Sequence, residues 1–420
     1  MPRRQVIVVG AGAAGLMAAG QSAAGPGSAR RGPETLLLEK TDRPGTKLRI
    51  TGQGRCNLTN TDPIREMVKH YPAGEHFIRP ALHRFSNEAL CAFFADLGLP
   101  TEVQRGGRVF PVSEDARDVV AALVAWIDAQ GVTLRTESAV DRLLVEANRV
   151  TGVHTSDGRL YRGDAVIVAT GGASYPSTGS SGDGHALARS VGHTIVPIRP
   201  ALVPLATAGD IAPRLEGLSL RNVNVSVWID GGKETQAFGE MVFTSFGVSG
   251  PIILTLSREI VDALRAGREV TLAFDLKPAL DHPTLDARLL EEIGASPKRH
   301  VHNMLKELLP SKLVPVCVDL VGLAPHSTAH EITAEERKRL RMWLKDFRLA
   351  VRDHRPLSEA IVTAGGVDTS EVDPHTMASR LVGGLYFAGE VLDVDGETGG
   401  YNLQAAFSTG WVAGRSVVEG

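Results

Sequence analysis

The chain has 420 residues, which exceeds one ordinary domain, so we expect two domains or one domain with a large insertion. Its 43% hydrophobic and 22% charged residues are typical of a soluble globular protein, and its net charge of −3 disfavours nucleic-acid binding by bulk electrostatics. Cys56, Cys91 and Cys317 are scattered without a C-x-x-C spacing, which predicts neither a disulfide framework nor a metal site.

Targeting and membrane segments are not apparent in the sequence. Arg3 and Arg4 precede a strand-length apolar run that is far too short for the core of a signal peptide. No apolar segment approaches the roughly 20 residues that a membrane span needs. We therefore expect a cytoplasmic protein without a membrane partner, and the oligomeric state stays open.

The first predicted element is a buried strand at residues 6–9, which runs into G-A-G-A-A-G at residues 10–15 and then into an alanine-rich helix. This order is typical of the turn where a Rossmann unit meets a dinucleotide pyrophosphate. Gly10 permits the tight turn, Gly12 lets the backbone approach the phosphates, and Gly15 lets the helix pack close to the strand. The N-terminus of the helix offers N–H groups and partial positive charge to the anion. We therefore predict a bound dinucleotide here.

A loop rich in glycine and proline is predicted at 24–33, and a second strand follows at 35–38 and ends at Glu39. An acidic residue at this place can accept hydrogen bonds from both hydroxyls of an adenosine ribose. Residues 44–57 come next and are rich in glycine and basic side chains.

Helices with apolar faces are predicted at 86–98 and 115–130. The short strands after them are interpreted as a small antiparallel meander at 133–136, 139–146 and 150–154. A further buried strand of the parallel type is predicted at 165–168, and it ends in the glycine-rich residues 170–172.

The pattern changes from about residue 196. Short alternating strands at 196–275 favour an antiparallel β unit, and residues 283–350 are predicted to be helical. The helix at 333–348 begins with Thr333 and Glu336 at capping-box spacing. Its basic face is interpreted as a solvated surface rather than as a nucleic-acid site.

The α/β pattern returns after residue 358, with strand-like runs at 360–367 and 384–390. The simplest architecture is an α/β protein with one discontinuous Rossmann-like domain made of residues 1–195 and 356–420. An antiparallel β and helical substrate or cap domain would be inserted at 196–355.

Glycines with polar or acidic neighbours stand at the ends of the predicted parallel strands. Because ligands of a doubly wound sheet bind at the carboxyl ends of its strands, the ends at 10–15, Glu39, 170–172 and 389–390 predict one extended cofactor. Residues 393–406 then form a glycine-rich loop that opens a helix, which suits the flavin end of such a cofactor. A calcium loop needs acidic ligands in an alternating order that this loop lacks.

Several long motifs resemble those of one known family, and they lie at residues 10–16, 50–60, 169–176, 243–251, 389–393 and 399–402. The chain is similar to the BaiN-type, aminoacetone-oxidase-like flavoproteins, a family of NAD(P)/FAD-dependent oxidoreductases. The resemblance spans most of the chain. It implies FAD, a glutathione-reductase-like FAD-binding domain, and an inserted β-barrel-like and helical domain over the flavin. Gln53 stands where this family usually has glycine.

The resemblance also implies which residues contact the cofactor. These are Gly10, Gly12, Ala14 and Gly15 at the pyrophosphate, Glu39 at the ribose with Lys40 beside it, Val140 at the adenine, Lys47 and Arg49 as neutralising charges for phosphate, Gly54, Arg55, Cys56 and Asn57 along the ribityl–flavin region, Thr170 and Gly171 over the nucleotide, and Gly389, Glu390, Asp393, Gly400, Asn402 and Leu403 around the ribityl chain and flavin ring. Cys56 is either a thiol near the flavin or a small apolar filler, and the absence of a nearby cysteine favours the filler.

The expected function is hydride transfer between a small organic substrate and FAD, with NAD(P)H as a possible transient donor. A reductase of an activated C=C bond and an amine (aminoacetone-like) oxidase that uses oxygen share this half-reaction, so the direction stays open. A non-catalytic flavin-binding redox sensor is the alternative class, and a hydrolase is disfavoured because G-x-S-x-G is incomplete. No catalytic residue is assigned, since Tyr175, His185 and Tyr401 are interpreted as structural.

Overall fold

The computed structural model describes residues 4–24, 32–295, 297–324 and 326–419, so the predicted loop at 24–33 lies largely outside the described residues. The chain divides into two compact units. The first unit is Met1–Ala201 with Leu357–Gly420, and the second unit is Leu202–Pro356. Each unit has its own hydrophobic core.

The first unit mixes strands and helices from its first described residues. Up to Ala201 its strands are β1 (Gln5–Val9), β2 (Glu34–Leu38), β3 (Thr59–Asn60), β4 (Thr101–Gln104), β5 (Arg108–Pro111), β6 (Thr133–Arg135), β7 (Val140–Glu146), β8 (Arg149–Thr155), β9 (Leu160–Arg162), β10 (Ala165–Val168) and β11 (Ile195–Ala201). Its helices over the same residues are α1 (Ala13–Ala24), α2 (Ile64–Met67), α3 (Glu75–Arg84), α4 (Asn87–Asp96), α5 (Ala116–Ala129) and α6 (Asp183–Ser190).

The second unit and the return of the chain to the first unit complete the elements. The second unit has the strands β12 (Leu205–Thr207), β13 (Ser219–Ile229), β14 (Gly232–Phe243), β15 (Gly247–Ser249), β16 (Val270–Asp275) and β17 (Phe347–His354). Its helices are α7 (Ile211–Arg214), α8 (Pro251–Arg265), α9 (His282–Ala295), α10 (Val301–Leu305), α11 (Val314–Val321) and α12 (Ala334–Lys345). The first unit then continues with β18 (Val362–Val367), β19 (Leu385–Phe387) and α13 (Tyr401–Glu419).

A parallel sheet forms the centre of the first unit, with the strand order β19-β10-β1-β2-β6 in the described residues. The apolar runs of β1 and β10 are buried, as expected for strands covered on both faces. The segment 133–136 was predicted to belong to the meander, and this is wrong. It forms β6, which pairs in parallel with β2, and the antiparallel meander consists of β7, β8 and β9.

Close packing between α1 and α13 fixes the position of α1. A Cβ at Gly410 would lie 2.4 Å from the carbonyl oxygen of Ala14, and one at Gly414 would lie 2.5 Å from that of Ala18. Two glycines four residues apart lie on one side of a helix, so α13 brings its backbone against α1 along this line. The N-terminus of α1 is thereby held at the end of β1.

The second unit is a closed barrel with the strand order β12-β15-β14-β13-β16-β17, accompanied by helices. The predicted helical segment 283–350 is wrong at its end, because Phe347 begins β17 and pairs with Phe274 of β16. The capping box of Thr333 and Glu336 is confirmed at the start of α12. The Rossmann-like fold with an inserted antiparallel β and helical part is confirmed. Within the described residues, none of the helices has the length and apolarity needed to cross a membrane.

Candidate active site

The turn between β1 and α1 gives each glycine of the G-x-G-x-x-G motif a different environment. Gly10 has φ +97°, and a Cβ there would lie 2.6 Å from the carbonyl oxygen of Ala169. A Cβ at Gly15 would lie 1.8 Å from the carbonyl oxygen of Gly10. A Cβ at Gly12 would meet no described atom within 4 Å. Packing therefore requires Gly10 and Gly15 to be glycine, whereas Gly12 borders open space that suits a phosphate group.

The N-terminus of α1 supplies positive potential at this open space. The helix begins at Ala13, and its first turn, which includes Ala14, carries no charged side chain. The Leu16 N–H donates to the carbonyl of Gly12 at 2.9 Å, so the N–H groups before it have no acceptor within the helix. Such a terminus carries partial positive charge and favours an anion.

Glu39 stands at the end of β2 and is almost completely buried. Its carboxylate accepts hydrogen bonds from the backbone N–H of Ala11 and from the N–H and hydroxyl of Thr41, each at 2.8 Å. The backbone carbonyl of Glu39 accepts the N–H of Ser138 at 2.8 Å, which brings the start of β7 at Val140 to the same strand end. The residues expected at the ribose and the adenine are therefore neighbours.

Both lysines of the expected cofactor site are paired with carboxylates. Lys40 lies 2.5 Å from Asp183 at the start of α6. The ammonium group of Lys47 lies 2.8 Å from Glu390 and donates to the hydroxyl of Ser174 at 2.7 Å. Both lysine charges of the expected cofactor site are therefore compensated by carboxylates.

Glu390 connects three segments that are distant in sequence. Its carboxylate accepts the backbone N–H of Thr363 at 2.7 Å and lies 3.1 Å from the hydroxyl of Ser174. The hydroxyl of Thr363 accepts the backbone N–H groups of Ala173 and Ser174, and a Cβ at Gly172 would lie 2.4 Å from it. Sequence reasoning missed Ser174 and Thr363. Their contact spans 189 residues of chain, so no local spacing could have revealed it.

The glycine-rich segment after Lys47 folds into an irregular 3-10 turn over Leu48–Gly54. Gly52, Gln53 and Gly54 have φ values of +57°, +61° and +85°. The left-handed region costs a non-glycine residue roughly 1–2 kcal/mol, which explains why glycine suits the position of Gln53. A Cβ at Gly54 would meet no described atom within 4 Å, so this backbone also borders open space.

The family resemblance places Arg55 along the ribityl–flavin region, but its guanidinium is occupied by contacts within the protein. Its guanidinium donates to Gln104 at 3.2 Å and to Glu114 at 3.0 Å, and it lies 4.5 Å from the centre of the Phe110 ring. Arg55 therefore fastens the 3-10 turn to the β4–β5 hairpin, and its charge is compensated by Glu114.

Four buried polar atoms in this region lack a hydrogen-bond partner among the described residues. They are Nε of Arg49, Oδ1 of Asn57, Oγ1 of Thr170 and Nε2 of His185. An unpaired buried polar group costs about 1–3 kcal/mol, so such atoms mark places where a bound group can supply the missing partner. Together with the open space at Gly12 and Gly54, they fit a long polar cofactor. Sequence reasoning had interpreted His185 as structural.

The glycine-rich loop 396–402 is closed by its own asparagine. The amide of Asn402 accepts the N–H of Gly396 and donates to its carbonyl, both at 2.8 Å. A Cβ at Gly400 would lie 2.3 Å from the carbonyl oxygen of Thr59, so the loop backbone lies directly against the end of the 50–60 motif. The structure thus brings the predicted residues around Asn57 and the predicted residues of this loop together.

The remaining predicted residues lie at strand ends or in the loop and helix that follow β19. Gly389 has φ +77°, and a Cβ there would lie 2.8 Å from the Cβ of Ala14 in α1. Gly171 has φ +74° and follows Thr170 after β10. The carboxylate of Asp393 accepts a backbone N–H of β18 at 3.1 Å, and Leu403 packs against the core of the first unit.

A family model described as HI0933-like protein Rossmann domain matches residues 4–416. The chain belongs to this family. It is 34% identical over 412 residues to the 3-dehydro-bile acid delta(4,6)-reductase of Clostridium scindens, with 98% of each chain covered. It is 32% identical over 422 residues to the ribosomal RNA dihydrouridine synthase of Escherichia coli, with 100% of this chain and 99% of the relative covered.

Solved structures agree with the fold of the HI0933-like chain. The 3-ketosteroid delta1-dehydrogenase of Sterolibacterium denitrificans matches 99% of this chain and 100% of its own, with a TM-score of 0.55 at 14% identity. At this identity the likeness concerns the fold alone. Family membership and the named reductase relative identify the HI0933-like chain as an FAD-dependent oxidoreductase.

The environment of Cys56, the cysteine of the 50–60 motif, gives its thiol low reactivity in this HI0933-like chain. Cys56 is fully buried, and burial raises the pKa of its thiol to about 12. A thiol with such a pKa stays protonated at physiological pH, and the thiolate is the reactive form. Cys56 is a free cysteine, which agrees with the apolar-filler interpretation.

Three basic side chains of α12 in the second unit are paired with acidic residues. Arg337 and Arg341 lie 3.1 Å and 3.3 Å from Asp286. Lys345 lies 2.6 Å from Asp275. These three side chains are less than a quarter exposed, whereas Lys338 and Arg339 of the same helix are exposed.

Proposed function

We propose that this HI0933-like protein reduces a carbon–carbon double bond conjugated with a carbonyl group in a small organic molecule, with NAD(P)H as the electron donor. One observation carries the proposal, namely the names of two relatives that match nearly the whole chain. One is a 3-dehydro-bile acid delta(4,6)-reductase, and the other is a ribosomal RNA dihydrouridine synthase. Both names describe saturation of a C=C bond next to a carbonyl. FAD would supply the hydride for this reaction.

The residues of the first unit would hold the cofactor by backbone groups more than by side-chain charge. The Gly12 turn and the N-terminus of α1 would bind the pyrophosphate, since the nearby lysines are paired. Glu39 is oriented by Ala11 and would accept the ribose hydroxyls. The unpaired atoms of Asn57 and Thr170 would hydrogen-bond the cofactor between its two ends.

NAD(P)H is proposed to visit the protein transiently. The printed sequence contains the G-x-G-x-x-G pattern once, at residues 10–15, and this turn is assigned to FAD. A second dinucleotide would therefore bind without a Rossmann turn of its own and leave after reduction. We expect weak binding of NAD(P)H for this reason.

The choice of a small molecule over RNA is supported by charge. The chain has a net charge of −3, and three of the basic side chains of α12, Arg337, Arg341 and Lys345, are paired with Asp275 and Asp286. RNA-binding surfaces carry uncompensated basic residues. Reduction of uridine in ribosomal RNA is the second candidate, because a full-length relative is named for that product.

The test uses the purified holoprotein under anaerobic conditions. NADH or NADPH should bleach the visible absorbance of the bound flavin, and a 3-oxo-4,6-diene steroid should restore it while gaining two hydrogens by mass spectrometry. Recovery with unmodified ribosomal RNA alone would favour the second candidate. Bleaching by aminoacetone without a nicotinamide would favour an oxidase, and a protein purified without flavin would refute the proposal.

A further inference from the structure

Two titratable side chains of the loop 396–402 meet two others from an earlier segment of the first unit. Nδ1 of His70 lies 2.6 Å from the carboxylate of Glu397, and Nε2 lies 3.4 Å from Oδ2 of Asp62. The Tyr401 hydroxyl donates to the same Asp62 oxygen at 2.6 Å. The imidazole and phenol rings stack with their centres 4.1 Å apart. We call Asp62, His70, Glu397 and Tyr401 the histidine clasp.

The geometry of the histidine clasp favours a protonated imidazole. An ionised carboxylate can only accept hydrogen bonds, and a neutral imidazole has a single N–H to donate. Because both ring nitrogens of His70 face a carboxylate, the imidazolium form, with an N–H on each nitrogen, suits this arrangement best. The hydrogen bond to Glu397 raises the pKa of His70, with further contributions from the charges of Asp62 and Glu66. The cations Lys69 and Arg65 lie 2.7 Å and 3.6 Å from the carboxylate of Glu66.

The histidine clasp is attached to the loop at both ends. The N–H of Glu397 donates to the carbonyl of His70 at 3.0 Å, which fixes the first part of the loop. At the other end, a Cβ at Gly399 would lie 2.8 Å from the ring of Tyr401, and the hydroxyl of Tyr71 donates to the carbonyl of Tyr401 at 2.7 Å. The ring stack between His70 and Tyr401 therefore joins the two ends.

We propose that the histidine clasp positions the loop 396–402 for FAD and makes the affinity for FAD depend on pH through His70. This inference rests on the proposed cofactor site, because it requires the loop to lie at the flavin end. His70 acts as a positioning residue through the loop backbone. The motif analysis did not include it, since His70 and Glu397 are 327 residues apart.

The positive charge of protonated His70 determines whether FAD affinity rises or falls with pH. Protonated His70 holds Glu397 and Asp62 together, so the ordered loop is fully stabilised below the ordinary histidine pKa of about 6.5. The stabilisation is lost as the pH rises through the raised pKa of His70. FAD affinity should therefore be highest in mildly acidic solution and fall toward alkaline pH.

The test measures the dissociation constant of FAD by quenching of flavin fluorescence between about pH 6 and pH 9. We expect the constant of the wild-type protein to rise about tenfold, which corresponds to the loss of one charge-assisted hydrogen bond. His70→Gln should bind about tenfold more weakly at pH 6 and show a flat profile. His76→Gln, an exposed histidine on α3, is the matched control and should behave as wild type.

A second variant separates the contact made by Tyr401 from the titration of His70. Tyr401→Phe retains the ring stack but loses the hydrogen bond to Asp62, so it should weaken FAD binding at every pH while the pH dependence through His70 remains. Strong FAD binding by the wild-type protein without pH dependence, or a His70→Gln profile that follows wild type, would overturn the inference and leave the proposed function intact. No binding of FAD at any pH would instead refute the proposed function.

Discussion

Replacing Gly12 by alanine tests whether the open space beside the β1–α1 turn holds a phosphate. The added Cβ would meet no described atom within 4 Å, and the φ of Gly12 does not require glycine. The free energy of unfolding of the apoprotein should therefore change by less than about 0.5 kcal/mol. The methyl group would keep a phosphate from its N–H partners, and losing a charge-assisted hydrogen bond costs about 1.5–3 kcal/mol, or about 10- to 100-fold in the dissociation constant of FAD.

Gly15→Ala is the matched comparison within the same motif. Its Cβ would lie 1.8 Å from the carbonyl oxygen of Gly10, so α1 must shift, and overpacking of this kind costs about 1–3 kcal/mol or more of stability. The assay combines urea unfolding of both apoproteins with titration by FAD. The reasoning is refuted if Gly12→Ala binds FAD as tightly as wild type, or if it loses as much stability as Gly15→Ala.

Three further predictions concern packing and titration. Gly410→Ala should lower the free energy of unfolding by about 1–3 kcal/mol in chemical denaturation, because its Cβ would lie 2.4 Å from a carbonyl oxygen of α1. The control is Gly294→Ala, whose Cβ would meet no described atom within 4 Å and which should be tolerated in the same assay. Iodoacetamide at mildly alkaline pH should modify partly exposed Cys91 before fully buried Cys56, as peptide mapping would show, and equal rates would contradict the assigned burial. Burial lowers the pKa of His185, so the free energy of unfolding should fall as the pH drops below about 6.5, and chemical denaturation of His185→Gln should show a shallower fall.

The sequence was sufficient for the parts of the molecule that depend on local pattern. The strand β1, the turn at Gly10 and the start of α1 are contiguous, and packing requires glycine at Gly10 and Gly15, as the motif predicts. The capping box at Thr333 is equally local, and it is confirmed. Buried strands flanked by glycine were recognisable for the same reason, since both the hydrophobic run and the turn lie within about ten residues.

Tertiary pairing decided the places where the prediction was wrong. Residues 133–136 read as one more strand of a meander, yet β6 adds to the edge of the parallel sheet beside β2. Phe347 continues the apolar stripe of α12 in sequence, but it pairs with Phe274 across the barrel and starts β17. In both cases the local pattern is compatible with two structures: a meander strand or a parallel edge strand for 133–136, and a helix or a strand at Phe347. Pairing with a strand that is distant in sequence determines which of the two forms.

Charge compensation explains why the basic residues of the motifs were harder to interpret than the glycines. Sequence alone shows Lys47 near a predicted phosphate site, and it cannot show that Glu390, 343 residues later, lies 2.8 Å away. Once that pair is formed, Lys47 holds the ends of two segments together. The glycines expected at the cofactor in this chain, by contrast, are marked by backbone geometry, which a sequence motif records. The pairing of the charged side chains in the motifs depends on contacts between distant segments that only the fold forms.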